Sequence, residues 1–339
     1  MTALLVRAAG PMTSLQDAGR YGHQRFGVSP SGAMDRLALA AANALVGNDP
    51  GAAGIEFMLL GGSFAVEDGS VRIAVAGAPC GLNLDGEPAP PGTSLQVRAG
   101  QILIVGSAQE GVYTYLAVAG GFVLPPELGS LSLHRRAGIG GLHGRPLEGG
   151  DRLPLKLDAP PAGPELVLDR VSIDPAAEVC VVLGPQDDLF TPAGIETFLS
   201  SAYTVTQEAD RMGYRLSGPK IEHASGYNIV SDGIVSGSVQ VPGSGEPICM
   251  MADRQTTGGY PKIATVVSAD LRVLAQRRPG DAVRFRAVTM AQAQELARGR
   301  ARALTGLAAK ARPARAAAFT SEELLAQNLA GAAVDALEP

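Results

Sequence analysis

Cysteine, histidine and aromatic residues are scarce in this chain. Its 339 residues include three cysteines, four histidines and no tryptophan, and aromatic residues make up 4%. The cysteines, Cys80, Cys180 and Cys249, are far apart and form no CxxC pair, which favours reduced thiols in a cytoplasmic protein. Each lies beside apolar residues, so we expect small core residues rather than nucleophiles. The scattered histidines give little support to Ser-His-Asp or zinc catalysis.

Several familiar sequence signals are also missing. No apolar run reaches the roughly 18 residues that a membrane span requires, and the first residues do not resemble a signal peptide. The formal net charge of -5 argues against a nucleic-acid-binding surface. The chain has no phosphate-binding P-loop, GxGxxG loop, GxSxG elbow or HExxH helix. Any catalysis in this soluble, cytoplasmic protein would therefore use carboxylates, Lys262, Arg254 and tyrosines, with no metal site expected.

Glycine and proline are abundant instead, with 43 and 24 residues. Short apolar or alternating segments run from Ile55 to Val118 between turn signals, and this spacing predicts an antiparallel barrel or sandwich. Residues 153–164 contain four prolines, which is typical of a connector, and a second strand series begins at Glu178. We therefore predict a mainly β chain with domains at residues 1–160 and 161–288 and a helical tail at residues 289–339.

The tail is rich in alanine and carries two helix-start signals. Thr289 to Gln292 and Thr320 to Glu323 are both capping boxes, and the first is predicted to open a helix that reaches about Leu304. A solvated appendage and a partner-docking helix both fit this composition. We favour the solvated appendage.

Two polar positions and one long segment of the first half allow alternative interpretations. His23 is a structural hydrogen-bonding residue or, less commonly, a base. Asp35 precedes a helical pattern and is either its N-cap or a polar group at a helix end that favours an anion. The Gly-rich region 124–150 has few apolar runs and is expected to be a long loop, ordered only around a ligand or a partner.

The richest polar loop lies in the second half, between two apolar segments of buried-strand length. It holds two cations, a carboxylate, an amide and two hydroxyls, and Gly258 and Gly259 would let the backbone approach a ligand closely. Functional groups concentrate on loops that a rigid scaffold holds, so we predict a ligand site here rather than a solvated hairpin. Upstream, Asp210 to Leu216 is predicted to be a strand with charge on one face.

Five segments together resemble a known family: Ser14–Arg20 (SLQDAGR), Ser31–Arg36 (SGAMDR), Ala117–Phe122 (AVAGGF), Asp210–Leu216 (DRMGYRL) and Ala252–Lys262 (ADRQTTGGYPK). The family is that of the C subunit of 5-oxoprolinase, also described as biotin-dependent carboxyltransferase, allophanate hydrolase subunit 2 or KipA. The similarity runs from about Leu4 to Phe285 and leaves the tail outside. It implies two tandem cyclophilin-like β-barrel domains.

The resemblance also implies a function. Such a chain would be the C subunit of an ATP-dependent 5-oxoprolinase that opens 5-oxoproline to L-glutamate together with an A subunit and a KipI-like B subunit. ATP would be needed by the complex, and biotin is not expected on this chain, because nothing in it resembles a biotin attachment segment. The alternatives are a biotin-dependent carboxyltransferase that acts on urea or another small amide, and a non-catalytic KipA-like regulator that binds a KipI-like kinase inhibitor.

The chemistry of a planar amide or lactam gives a hypothesis for the site. Lys262 and Arg254 would hold a substrate carboxylate or phosphate, and Asp253 or Asp232 would accept the lactam N–H or act as base. The other predicted substrate-binding residues are Gln255, Thr256, Thr257, Gly258, Gly259, Tyr260, Asp35 and His23. In the alternative interpretation, Asp253 and Arg254 form an ion pair that fixes the loop, and Lys262 is merely exposed.

Overall fold

The fold of the chain is mainly β. A computed structural model describes residues 2–174 and 176–314. Within these residues, the strands are β1 (Ala3–Ala9), β2 (Ser14–Gln16), β3 (Gly54–Met58), β4 (Gly62–Glu67), β5 (Ser70–Gly77), β6 (Cys80–Leu84), β7 (Glu87–Ala89), β8 (Ser94–Arg98), β9 (Ile102–Ala108), β10 (Tyr113–Val118), β11 (Arg152–Pro154), β12 (Leu166–Val167), β13 (Val179–Leu183), β14 (Ala202–Ala209), β15 (Gly213–Ser217), β16 (Asp232–Gly233), β17 (Ser238–Gln240), β18 (Ile248–Met250), β19 (Thr257–Gly258), β20 (Lys262–Val266), β21 (Ala282–Ala287) and β22 (Arg312–Pro313). The α-helices are α1 (Arg36–Leu45), α2 (Pro192–Ser200), α3 (Leu271–Ala275) and α4 (Met290–Lys310).

The first half is built from two antiparallel sheets around one apolar core. The strand order is β11-β1-β4-β9-β6-β7 in one sheet and β2-β3-β10-β5-β8 in the other. The core between them includes Leu4, Phe57, Phe64 and Leu116. Strand β10 is buried at every position, because helix α1 packs against it on the side away from this core. Its continuous apolar sequence therefore follows from burial on both faces.

The second half is a closed barrel of seven strands in the order β13-β20-β17-β18-β15-β14-β21. All its strand pairs are antiparallel except β13 with β21, which is parallel. Phe198 of α2 stacks on Phe285 of β21 with 4.6 Å between ring centroids, beside Tyr203. The Thr191 hydroxyl caps α2 by accepting a hydrogen bond from Gly194 N. The predicted β architecture is therefore confirmed.

Helix α1 joins the two halves. Its N-cap is Asp35, whose side chain accepts hydrogen bonds from Leu37 N and Ala38 N, so the capping interpretation is confirmed. The same carboxylate accepts hydrogen bonds from Arg272 and Gln276 of the second half. Apolar residues of α1 and of the barrel belong to one continuous core. The halves are thus packed together and share buried polar contacts.

The part of the tail that the structure describes is packed rather than solvated. Helix α4 begins at the predicted Thr289 capping box, but it continues to Lys310 and packs on α1 and β13. Beyond it, β22 pairs with β12. The expectation of a solvated appendage is wrong for this segment, because α4 contributes Ala293 and Leu307 to buried apolar clusters. The second capping box, at Thr320, lies outside the described residues.

The Gly-rich region 124–150 is held by the first half itself. The Asp17 carboxylate accepts hydrogen bonds from the hydroxyls of Ser130 (2.6 Å) and Ser132 (2.5 Å) and from Leu131 N (2.7 Å). Gln16 Nε2 donates to Leu133 O. The expectation that this region is ordered only around a ligand or partner was therefore wrong, because its polar groups find partners at residues 14–20. No helix in residues 2–174 and 176–314 is long and apolar enough to span a lipid bilayer.

Candidate functional site

A buried arginine lies where the two halves meet. Arg211 is 4% exposed, and its Nε and Nη2 donate to the two carboxylate oxygens of Asp253 at 2.8 and 2.9 Å. Its Nη1 donates to Glu56 in the first half at 2.6 Å. The prediction of a strand from Asp210 was wrong in part. Residues 210–212 form the turn before β15, and Arg211 points into the interface rather than to solvent.

The carboxylates around Arg211 keep it charged. Burial alone would lower the pKa of its guanidinium, but the charges of Asp253 and Glu56 and the hydrogen bonds to Asp253 raise that pKa well above its usual value. Arg211 Nη2 also donates to Gly32 O at 2.9 Å and to Gln16 Oε1 at 3.2 Å. Every arm of the guanidinium therefore has an acceptor, as a buried charge requires.

The network extends further into the first half through Glu56. Its Oε2 accepts hydrogen bonds from the Tyr115 hydroxyl at 2.7 Å and from Met34 N at 2.9 Å. The Tyr115 oxygen in turn accepts from Asp35 N at 2.8 Å. Burial and the charge of Glu56 raise the pKa of Tyr115, so the phenol stays protonated and serves as the donor. This chain of bonds fixes the Ser31–Arg36 segment against the second half.

Close to this network, a pocket of about 370 Å³ opens between the halves. We call it the arginine pocket, because its lining includes Arg36, Arg254, Arg272 and Arg300. None of the described residues that line it is acidic. Such a wall is suited to binding an anion.

Arg254 is the most buried of these four arginines, at 3% exposure. Its guanidinium donates to three neutral acceptors: Ile234 O at 3.2 Å, Ser236 Oγ at 2.8 Å and Gln24 Oε1 at 3.1 Å. Burial lowers its pKa to about 10, against smaller opposing effects of Tyr21 and Asp253. It remains a cation near neutral pH. The alternative in which Asp253 pairs with Arg254 is wrong, because Asp253 pairs with Arg211 instead.

Lys262 and Asp232 form a second polar group that does not line the arginine pocket. Lys262 is 2% exposed, and its Nζ donates to Asp232 Oδ2 at 2.7 Å, so the alternative of an exposed lysine is wrong. Gln186 Nε2 donates to the same oxygen at 3.0 Å. Hydrogen bonds from Lys262, Gly233 and Gln186 lower the pKa of Asp232. This carboxylate is therefore ionised near neutral pH, where it is a weak base.

The remaining loop residues pair with the segment 229–234 in a small two-stranded sheet. Thr257 and Gly258, as β19, pair with β16, which contains Asp232. Thr256 O accepts a hydrogen bond from Ile234 N, and Gly259 O accepts one from Ile229 N. Gln255 and Tyr260 are exposed. Of the predicted loop residues, Arg254 lines the arginine pocket, and the structure separates it from Lys262.

Neither of the two predicted site residues of the first half lines the arginine pocket. His23 is partly exposed and precedes the short 3-10 helix Gln24–Phe26. Through Gln24, this segment touches Arg254. Asp35 is buried and faces Arg272 and Gln276, at the edge of a different cavity.

Sequence reasoning missed most of the polar groups at the interface. Ser31, Arg36 and Arg211 lie inside segments that carried the family resemblance but received no role. Glu56 stands in an apolar strand, and Arg300 lies in the tail. A buried-strand pattern interrupted by one acid is a signal that could have pointed to Glu56. Among the residues that the structure describes, no group of three or more His, Cys, Asp or Glu is placed to hold a metal ion.

Comparisons with known proteins agree with this architecture. Residues 26–287 match the sequence model of the carboxyltransferase domain, subdomain A and B. The chain is 42% identical to the C subunit of 5-oxoprolinase of Haemophilus influenzae, with 84% of this chain and 91% of the relative covered. It is 40% identical to the corresponding 5-oxoprolinase chain of Escherichia coli, with 83% and 90% covered. The urea amidolyase of K. lactis superposes with a TM-score of 0.84 at 29% identity, covering 95% of this chain and 20% of that one. The chain therefore belongs to the carboxyltransferase domain, subdomain A and B, family.

Proposed function

We propose that this chain is the C subunit of a 5-oxoprolinase that opens 5-oxoproline to L-glutamate with ATP. Two relatives of that name are covered over 91% and 90% of their own length, which supports the proposal. The structural observation that carries the proposal is the arginine pocket between the halves. The substrate that the relatives' name implies has a carboxylate beside its lactam, and such a pocket suits that anion.

The residues of this chain would bind and orient the substrate. Arg254 would hold the carboxylate from one wall of the pocket. Asp253 and Arg211 would keep the two halves, and hence the two walls, in register. Lys262, with its Nζ 2.7 Å from Asp232, does not line the pocket, and it would act by holding the 253–262 loop in place. ATP bound in the complex would supply the phosphoryl group that activates the lactam oxygen.

The function also requires partner chains. A relative named as one lettered subunit implies further subunits, and we propose that an A subunit and a KipI-like B subunit assemble with this chain and that ATP serves the complex. Biotin is not expected on this chain. Transfer of a carboxyl group to urea is the second candidate, favoured by the family's name and by the likeness to urea amidolyase. That likeness covers only 20% of the urea amidolyase chain, so it supports a shared fold more than a shared substrate.

Glutamate release from 5-oxoproline and ATP tests the proposal, using the full chain together with its partner A and B subunits. Arg254→Gln should abolish turnover while size-exclusion chromatography still shows the complex. Arg215→Gln, an exposed arginine of the same barrel, is the matched control and should keep full activity. An intact complex that releases no glutamate with the unmodified chain would refute the function. Urea-dependent consumption of carboxybiotin would then establish the carboxyltransferase, and partner binding without turnover would favour a regulator.

A further inference from the structure

The arginine pocket draws one of its walls from outside the matched family region. The match ends at residue 287, and helix α4 begins at Met290. Arg300 of this helix lines the pocket together with Arg36 of α1 and Arg254 of the second half. Its Nη1 donates to Ser268 O at 3.0 Å, which holds the guanidinium at the pocket wall. Three separate parts of the chain thus bring cations to one cavity.

The charges in this pocket are poorly balanced. Arg272 is paired with Asp35 at 3.1 Å. In contrast, Arg36 lies over the Tyr21 ring and hydrogen-bonds its hydroxyl at 3.2 Å, and the described contacts of Arg254 and Arg300 are to neutral acceptors. The Asp253 carboxylate nearby is already engaged by Arg211.

Gathering these cations has an energetic cost that the neighbouring acidic groups offset only in part. Burial, together with repulsion from Arg36, lowers the pKa of Arg300 against an opposing effect of Asp35, and burial lowers that of Arg254 against smaller effects of Tyr21 and Asp253. Like charges collected in a partly buried site are unfavourable unless an anion neutralises them. A bound anion would therefore stabilise the arrangement.

A buried hydroxyl at the same pocket points independently to a ligand. Ser31 lines the cavity and is 7% exposed, yet its hydroxyl has no hydrogen-bond partner among the described residues. The residue has a φ of 53°, in the left-handed region that a serine rarely adopts. Unsatisfied buried hydroxyls are uncommon, and backbone strain of this kind concentrates at ligand sites.

We propose that the arginine pocket binds the carboxylate of a small acid, and that Arg300 of α4 makes the site selective for anionic over neutral amides. The inference rests on the proposed function, under which the acid is 5-oxoproline, and it adds a specificity-determining residue outside the matched region. The volume of about 370 Å³ is near the lower end of the roughly 300–1,000 Å³ range of small-molecule sites, which favours a small acid over a nucleotide. The planar guanidinium of Arg254 or Arg300 fits a carboxylate with two parallel hydrogen bonds.

Calorimetric titration of the full chain in its complex tests this assignment. The probes are 5-oxoproline, 2-pyrrolidinone, which is the same lactam without the carboxylate, and inorganic phosphate. The variants are Arg300→Gln, Arg300→Lys and, as matched control, Arg298→Gln, an exposed arginine of the same helix that pairs with Glu295. Thermal unfolding verifies that each variant is folded.

Arg300→Gln should weaken 5-oxoproline binding by about 10- to 100-fold, the usual effect of losing a charge-assisted hydrogen bond. Arg300→Lys should fall between this variant and the unmodified chain. Arg298→Gln should bind normally, and no variant should change the binding of 2-pyrrolidinone. Unchanged 5-oxoproline binding in Arg300→Gln, or an equal loss for 2-pyrrolidinone, would overturn the proposal. Phosphate that binds in place of 5-oxoproline and depends on Arg300 would overturn the choice of a carboxylate.

The two proposals fail in distinguishable ways. If the complex releases glutamate but Arg300→Gln leaves the KM for 5-oxoproline unchanged, the function stands and the role of Arg300 fails. If 5-oxoproline binds with Arg300 dependence but no glutamate appears, the pocket stands and the function fails.

Discussion

Replacement of Arg211 by methionine should destabilise the protein more than any surface substitution. The guanidinium is 4% exposed and neutralises Glu56 and Asp253, which are 1% and 6% exposed. Methionine fills part of the volume but leaves two buried carboxylates without a counterion. Breaking a buried ion pair by removing one partner typically costs about 3–5 kcal/mol. Because two carboxylates lose the same partner here, we expect a loss in the upper part of that range.

The loss should depend on pH in a defined direction. In the unmodified chain the pKa of Arg211 is raised above its usual value, so its contribution is present below the pKa of the unfolded state and is lost only at higher pH. In Arg211→Met, the buried side chains of Glu56 and Asp253 lose their counterion. A buried carboxylate without a counterion is destabilising in its charged form, which prevails at higher pH. The deficit should therefore be larger at pH 8 than at pH 5.

Urea unfolding at the two pH values measures this prediction, with free energies from linear extrapolation. Arg215→Met removes an exposed pair with Glu208 on the neighbouring strand and should change stability by less than about 1 kcal/mol. Adding Glu56→Gln and Asp253→Asn to Arg211→Met should recover part of the loss, because no unpaired charge then remains. A loss below about 1 kcal/mol for Arg211→Met, or an identical loss at both pH values, would refute the reasoning.

Three further outcomes are expected. Asp232→Asn should destabilise the chain more than Lys262→Met in urea unfolding. The first substitution leaves the buried Lys262 ammonium without a counterion, whereas the second leaves the half-exposed Asp232 carboxylate, which water can hydrate; the reverse order would contradict this. Thr289→Ala should lower the free energy of unfolding by about 1 kcal/mol through loss of the α4 capping box, and an unchanged urea midpoint would show that the cap is dispensable. Cys80 in the folded protein should be alkylated by iodoacetamide far more slowly at pH 8 than a free thiol, as mass spectrometry can measure. Burial raises its pKa to about 11, which leaves only about a thousandth as thiolate; labelling at the rate of free cysteine would exclude this environment.

Local features of the fold were predictable because their causes lie within a few residues. The Asp35 N-cap and the Thr289 capping box each depend on a side chain and a backbone N–H at most three positions away. The strands of the first half follow from alternating burial between turn signals. The closure of the barrel followed from the family resemblance and not from local patterns. The pairing between β13 and β21 that closes it joins residues about a hundred positions apart. Such pairing leaves no local signature.

The interface could not be predicted in the same way. The bonds of Arg211 to Glu56 and Gln16 connect positions 155 and 195 residues apart. In the sequence, Asp210 and Arg211 beside an apolar segment look like an exposed strand end. The polar loop at 253–262 was located as a distinct element, but its side chains separate: Asp253 and Arg254 face the interface, while Lys262 pairs with Asp232 elsewhere. The polar composition of the loop identified it in the sequence. Where each of its charged side chains lies depends on how the two halves pack together.

The neighbouring residues Asp253 and Arg254 connect assembly of the halves with the candidate binding site. Asp253 gives both carboxylate oxygens to Arg211, which also bonds Glu56 of the first half. Arg254 is thereby left without this carboxylate as a direct partner and reaches Gln24 of the first half instead. If Asp253 were to pair with Arg254, the pocket would lose a cation and Arg211 would lose a counterion in the same step. The observed pairing therefore couples the interface to the candidate anion-binding pocket, so we expect a substitution that disturbs one to weaken the other.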